Sequence, residues 1–375
     1  MGVFMPQRTV ERALDTSRQN NFDIMRFIAA SLVIVSHSFA VAGAYIEPNL
    51  GSTTLGTLAV YIFFIMSGFL VAQSWDLHPR VAAFLGKRIL RIIPGLAIAT
   101  LFVLLVIGPL FTTMTLAQYL ADPKAIAYLG NVGLFSIRYD LPGVFEHNAF
   151  IGSTNGSLWT LPYEFFAYLA LAAFGYLGLF RKRINLIVSV LGVLILTRLL
   201  LIVFANNALT LLDLQLNYLV PNLAVFAMGV IIYQHRDRIV LSEQLAILAF
   251  IAIAVSPWIY GQYYIRLVAL PYLVIYLALA KSKYSYKFAK YGDFSYGMYI
   301  YAWPVQQSVY AAAHGSVGPL RLCAITFPIV IVLAVLSWHF VEKPFLKKKY
   351  IFSPARYPVQ THQAKAREML AEGRV

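Results

Sequence analysis

Long apolar runs alternate with short polar segments along almost the whole chain. A helix needs about 20 apolar residues to cross the hydrocarbon core of a bilayer. Ten stretches approach that length, near residues 23–45, 55–75, 92–111, 159–180, 184–205, 216–234, 240–258, 263–281, 293–313 and 320–342. They predict an all-α integral membrane protein, a bundle of about ten transmembrane helices with the lipid bilayer as its main partner. Most connections are short. The exception is 112–158, rich in glycine, asparagine and aromatics such as Tyr139, Phe145, His147, Phe150 and Asn155. Segments this long are commonly functional or disordered. This one is too apolar for simple disorder and is expected to pack over one mouth of the bundle.

Basic residues gather at alternate ends of these runs, which is the positive-inside pattern. Of the 30 lysines and arginines, all but Lys124, Arg138, Arg198, Arg266 and Arg321 fall on one side. That side reads as cytoplasmic. Both termini lie on it, which requires an even number of spans. The division is then a cytoplasmic N-terminal segment (1–22), a transmembrane domain (23–344) carrying 112–158 as a long outer segment, and a cytoplasmic tail (345–375). The tail's basic start and the amphipathic stretch from Gln363 to Leu370 suit an anionic inner leaflet. Residues 1–22 lack the apolar core of a signal peptide, so the first helix is expected to remain as an anchor.

Composition agrees. Hydrophobic residues make up 60% of the 375 and charged residues 12%, against roughly 25% charged in soluble domains. The net charge of +14 is accounted for by topology, and no nucleic-acid partner is expected. The single cysteine, Cys323, excludes an intrachain disulfide and a cysteine-based metal site. No metal is expected.

Ionisable groups at membrane depth are expensive and mark function by default. Arg26 and His37 are eleven residues apart on the first run, about 16 Å and close to three turns along one helix face. A cation at the inner mouth suits an anionic donor. A neutral imidazole at depth suits general-base work. The bland alternative is a topology signal plus a hydrogen-bonded bundle histidine. Glu164, in Ser157-Leu-Trp-Thr-Leu-Pro-Tyr-Glu, lies about 7 Å below an interfacial Trp159. It could orient His37, handle a proton itself, or be a protonated structural carboxyl. Arg88 and Arg91 are helical neighbours and could clamp phosphate or only set topology. Ser67-Gly68 permits close helix approach. Glu342 could pair with Arg88 or Arg91. Ser67, Trp159, Tyr163 and Tyr299 are candidates for lining the substrate path.

In this order the segments resemble acyltransferase family 3, the integral membrane O-acyltransferases of bacterial surface polysaccharides, lipopolysaccharide and Nod factors. The resemblance rests on Arg26 with His37, Phe63 to Leu70 (Phe-Phe-x-x-Ser-Gly-Phe-Leu), and Arg88-x-x-Arg91. It continues with Leu158 to Glu164 (Leu-Trp-x-Leu-x-x-Glu), Ser295 to Tyr299 (Ser-Tyr-x-x-Tyr) and Glu342-Lys-Pro344. It implies acyl-coenzyme A, usually acetyl-CoA, as cytoplasmic donor. It also implies a polysaccharide or lipid-linked glycan as acceptor, and the bacterial inner membrane as location. His37 and Glu164 would then lie near the reaction centre, and Arg26, Arg88 and Arg91 near the donor. Two positions depart from the family pattern: Trp303 stands where relatives often carry histidine, and Phe165 where a second acid often follows the glutamate. The intramembrane His, Glu and Arg set also suits a proton-coupled transporter or flippase of a glycan or anion. The run pattern carries no paired repeat of the kind such carriers show.

Overall fold

The computed structural model describes residues 8–16, 20–181, 184–204, 210–211, 214–280, 288, 290 and 292–352. A short helix, α1 (Val10–Thr16), precedes α2 (Phe22–Val41), α3 (Leu55–Leu77) and α4 (Val81–Phe102). A π turn at Val103–Ile107 carries α4 on into α5 (Gly108–Phe111). Then come α6 (Leu116–Ala121), α7 (Pro123–Ala127), α8 (Thr160–Tyr176), α9 (Leu186–Phe204), α10 (Leu216–Gln234), α11 (Glu243–Val255), α12 (Gln262–Leu279), α13 (Ser295–Ala312) and α14 (Pro319–Ser337). Strand pairing among the described residues is limited to two-residue hairpins, such as Asn49–Leu50 with Thr53–Thr54, and two isolated bridges. The expected tail helix from Gln363 to Leu370 lies outside the described residues.

Each expected apolar run holds a helix, but they are not equally apolar. Seven are long and apolar enough to cross a membrane: α2, α3, α4 with α5, α9, α10, α12, and α14 with its continuation to Phe352. Three fall short. α8 has 17 residues and α11 has 13. α13 reaches 18 residues but carries the buried polar residues Ser295, Gln306 and Gln307. The third helix also starts earlier than expected, at Val81 rather than near residue 92. The cluster Lys87, Arg88 and Arg91 interrupts hydropathy without interrupting helix geometry. The stop is Pro79, which precedes an extended Arg80.

Thr54 caps α3 by accepting a hydrogen bond from the Thr57 amide. α9 buries only Thr197 among its side chains, leaving Leu191, Ile195, Leu199 and Ile202 outside. A helix apolar but for Arg198, with nearly all its side chains outside, has lipid as its solvent. The chain is a multi-pass membrane protein.

The segments assigned to the basic side meet one another. Arg8 donates to the Leu279 carbonyl, the Val10 amide to the Ile239 carbonyl, and Arg236 pairs with Asp76 and Glu11. Those assigned to the opposite side also meet. Arg266 donates to the Leu50 carbonyl, Asn148 to Gln307, and Asn155 to the Ile300 carbonyl. The long segment thus fastens onto α13 between Ile300 and Gln307. Trp303 and Gln307 donate back to the Ser153 carbonyl. Part of it forms its own apolar cluster of Tyr119, Tyr128, Leu141 and Phe145 with Val103 and Ile107.

The tightest crossing joins α3 to α10. A side chain built on Gly68 would strike the Phe226 carbonyl, and one on Gly229 the Ile65 carbonyl. Small residues on both helices let the backbones touch. Gly68→Val is therefore expected to destabilise the protein by about 3 kcal/mol or more, because backbone atoms cannot yield as a side-chain end can. Thermal unfolding in detergent would show this as a lowered midpoint. An unchanged midpoint would mean the crossing is looser than drawn.

Candidate active site

Five helices converge on a cavity of about 130 Å³. α2 contributes Arg26, α3 contributes Phe63 and Ser67, and α4 contributes Arg88 and Arg91. α8 contributes Thr160 and Glu164 with Tyr168, and α13 contributes Ser295, Tyr296 and Tyr299. The helical spacings explain the gathering. Glu164 and Tyr168 are four apart on α8, Arg88 and Arg91 three apart on α4, and each pair faces one way.

The cations are not equivalent. Arg91 is held by two carboxylates, Asp293 at 2.6 Å and Glu342 at 3.4 Å. Arg26 shares Asp293 at 3.2 Å and also meets Asp23 at 2.9 Å. Asp293 is fixed in turn, its other oxygen accepting from the Ser295 amide and hydroxyl. The buried Glu342 accepts from Ser337, and a π turn at Trp338–Glu342 sets it there. Such turns recur at functional sites. Arg88 differs: none of the described carboxylates lies within 4 Å of it. Its Nη2 donates to Ser74 at 3.1 Å, and its guanidinium rests against the rings of Phe84 and Tyr168. Its Nε is buried without a partner.

Glu164 lines the same cavity as the arginines. It accepts from Tyr168 and from the Ser67 hydroxyl at 3.3 Å, and Ser67 also meets the Tyr168 hydroxyl at 2.9 Å. The Tyr299 hydroxyl is bonded to Thr160 at 2.5 Å. No hydrogen bond joins Glu164 to His37. His37 does not line this cavity either. Its ring stands edge-on to Trp303, centroids 4.8 Å apart, and its buried Nδ1 has no partner. Trp303 is four residues beyond Tyr299 on α13, so His37 stands about 6 Å, one helical turn, beyond the cavity's Tyr299 end.

Trp159 and Tyr163 point elsewhere. With Pro162 they line a second, larger cavity of about 530 Å³ against residues 135–139 of the long segment. The first turns of α8 form the wall between the two spaces.

Sequence reasoning missed Asp293, Tyr168 and Tyr296. Asp293 was readable as an acid two residues before the Ser-Tyr-x-x-Tyr segment, and Tyr168 as the helical neighbour of Glu164. Tyr296, which donates to the Ile92 carbonyl, lay inside a noted motif with nothing to single it out.

Comparison with known proteins bears on this arrangement. Residues 19–339 match the family model described as Acyltransferase domain. An O-acetyl transferase of Shigella phage Sf6 is 29% identical over 343 residues, covering 88% of this chain and 97% of that protein. Nodulation protein 10 of Rhizobium leguminosarum bv. viciae is 28% identical over 364 residues, covering 88% of this chain and 94% of that protein. No solved structure matches the chain.

Proposed function

We propose, from the premise that this chain belongs to the acyltransferase family whose domain model it matches over residues 19–339, that it moves an acyl group from acyl-CoA to a sugar hydroxyl. The donor, acetyl-CoA in the first instance, enters from the cytoplasmic face. The acceptor is a cell-surface or exported polysaccharide or a lipid-linked glycan. Family membership makes the chain an acyltransferase, and a relative named O-acetyl transferase supports an oxygen acceptor. In this reading ten helices cross the bacterial inner membrane with both termini inside. Residues 23–344 form the transmembrane domain, flanked by cytoplasmic segments.

The observation that carries the donor assignment is Arg88, a largely buried guanidinium facing the cavity with a free Nε and no carboxylate counter-ion among the described residues. An unpaired buried charge is costly, and a phosphate supplies the missing partner with charge-assisted hydrogen bonds. Arg26 and Arg91 line the same cavity, with their charge already shared among Asp23, Asp293 and Glu342. At about 130 Å³ the cavity is smaller than the 300–1,000 Å³ typical of whole-ligand sites. It suits the slender pantetheine arm, with the nucleotide remaining at the mouth.

His37 takes the proton of the acceptor hydroxyl at the unpartnered Nδ1. The oxygen attacks the thioester carbonyl and the carbon–sulfur bond breaks. The CoA thiolate leaves with a proton returned from the imidazole, so the products are the sugar ester and free CoA. Glu164, with Ser67 and Tyr168, forms the hydroxyl-rich wall past which the arm runs. It acts on protons or orientation there, without direct contact to His37.

Arg88→Gln is expected to raise the KM for acetyl-CoA by about tenfold or more, the loss of one charged hydrogen bond, with kcat nearly kept at saturating donor. Initial rates in nanodiscs over a donor titration check this. An unchanged KM with a lowered melting temperature would return Arg88 to a structural role.

A further inference from the structure

The second cavity is unused by the chemistry above, yet it shares a wall with it. On one face of α8, Thr160 and Glu164 line the smaller cavity. On the other, Trp159 and Tyr163 line the larger one. The larger space, about 530 Å³, falls within the range of small-ligand sites. Its walls are aromatic. The Trp159 ring stands 5.6 Å from Tyr163 and 5.4 Å from Tyr218, and the Tyr163 hydroxyl is held by the Gln215 amide at 3.0 Å. Tyr218 is 48% exposed and Tyr139 36%, so their faces stay available. Amphipathic rings of this kind present an apolar face beside a hydroxyl or N–H, which matches a pyranose with its C–H face and hydroxyl edge.

The charge is as one-sided as the rings. Arg138 is exposed at this cavity, and its guanidinium makes no hydrogen bond or ion pair among the described residues. Only its backbone is held, by Asn131 at 2.6 and 2.9 Å. No carboxylate lines the cavity among the described residues. A rigid backbone thus presents an unspent planar fork that pairs bidentately with carboxylate.

We propose that this cavity is the acceptor subsite and that it takes a sugar residue bearing a carboxylate, stacked on Trp159 and Tyr218 and paired to Arg138. The inference rests on the glycan-acceptor reading above. Full-length protein in nanodiscs would be tested for equilibrium binding of tritiated tetragalacturonate and of neutral maltotetraose. Wild type is expected to bind the uronate about tenfold or more tightly than the neutral sugar. Arg138→Gln, a change on an exposed side chain, is expected to erase that preference and keep neutral binding. Trp159→Ala is expected to weaken both. Equal binding of the two sugars by wild type, or a preference surviving in Arg138→Gln, overturns the proposal. Transfer of labelled acetyl into a glycan extract is followed in parallel. Transfer with no uronate preference sinks the subsite alone. Absence of transfer to any glycan sinks the acceptor reading, and the subsite with it.

Discussion

Replacing His37 by alanine is expected to lower acyl transfer by about 10²- to 10⁴-fold, the usual contribution of a positioned general base, while acyl-CoA binding stays within about twofold because the arginines are untouched. The basis is what surrounds the ring. Neighbouring polar groups on α2 are already paired. Ser36 donates to Glu47, and Ser38 both donates to the Ile34 carbonyl and accepts from Gln306. The His37 Nδ1 is buried and unpaired, at the level where the outer segment, through Phe150 and the Ser153 carbonyl, closes over Trp303. That nitrogen is left to accept a proton from a bound hydroxyl. Single-turnover transfer from labelled acetyl-CoA measures the effect, with melting temperature as control. Normal turnover by His37→Ala would remove His37 from the chemistry.

Arg91→Leu is expected to cost about 3–5 kcal/mol of stability, because it strips the cation from two buried acids at once. Asp293 would keep Arg26 as its only cation beside the Ser295 amide and hydroxyl, and Glu342, 1% exposed, would keep only the Ser337 hydroxyl. The coupling can be isolated. Asp293→Asn in the Arg91→Leu background is expected to recover part of the loss, since it removes one of the stranded charges. Unfolding midpoints of the two single variants and the double variant in the same detergent decide it. Strictly additive losses would mean that Asp293 and Arg91 do not act as a unit.

The helices were legible because membrane spans announce themselves by length and hydropathy, and ten runs gave ten helices within a few residues at most ends. Hydropathy failed where function or packing bends it. It missed the first turns of α4, where three basic residues hide a continuing helix, and α8, α11 and α13 fall below the length or hydropathy of the other seven. α13 spends its polarity inside the protein, Gln306 on α2 and Gln307 on the long segment. Six residues chosen from spacing and motif, Arg26, Ser67, Arg88, Arg91, Glu164 and Tyr299, line one cavity. Depth along a helix can be counted, but rotation about it relative to distant neighbours cannot. Hence Glu164 bonds to Ser67 and Tyr168 and not to His37, which was one of the roles open to it, and Trp159 and Tyr163 face a different space. The unequal state of Arg88 and Arg91 was equally hidden. It depends on Asp293 and Glu342, which the chain brings in from more than 200 residues away.

The central claim is tested most directly by purified protein in nanodiscs supplied with radiolabelled acetyl-CoA and a glycan extract from the source cells. Label is expected to enter the glycan with wild type and not with His37→Ala, as an alkali-labile ester. No transfer by wild type, together with no binding of CoA in the same preparation, would contradict acyl transfer from this donor and favour a carrier that moves its ligand unchanged.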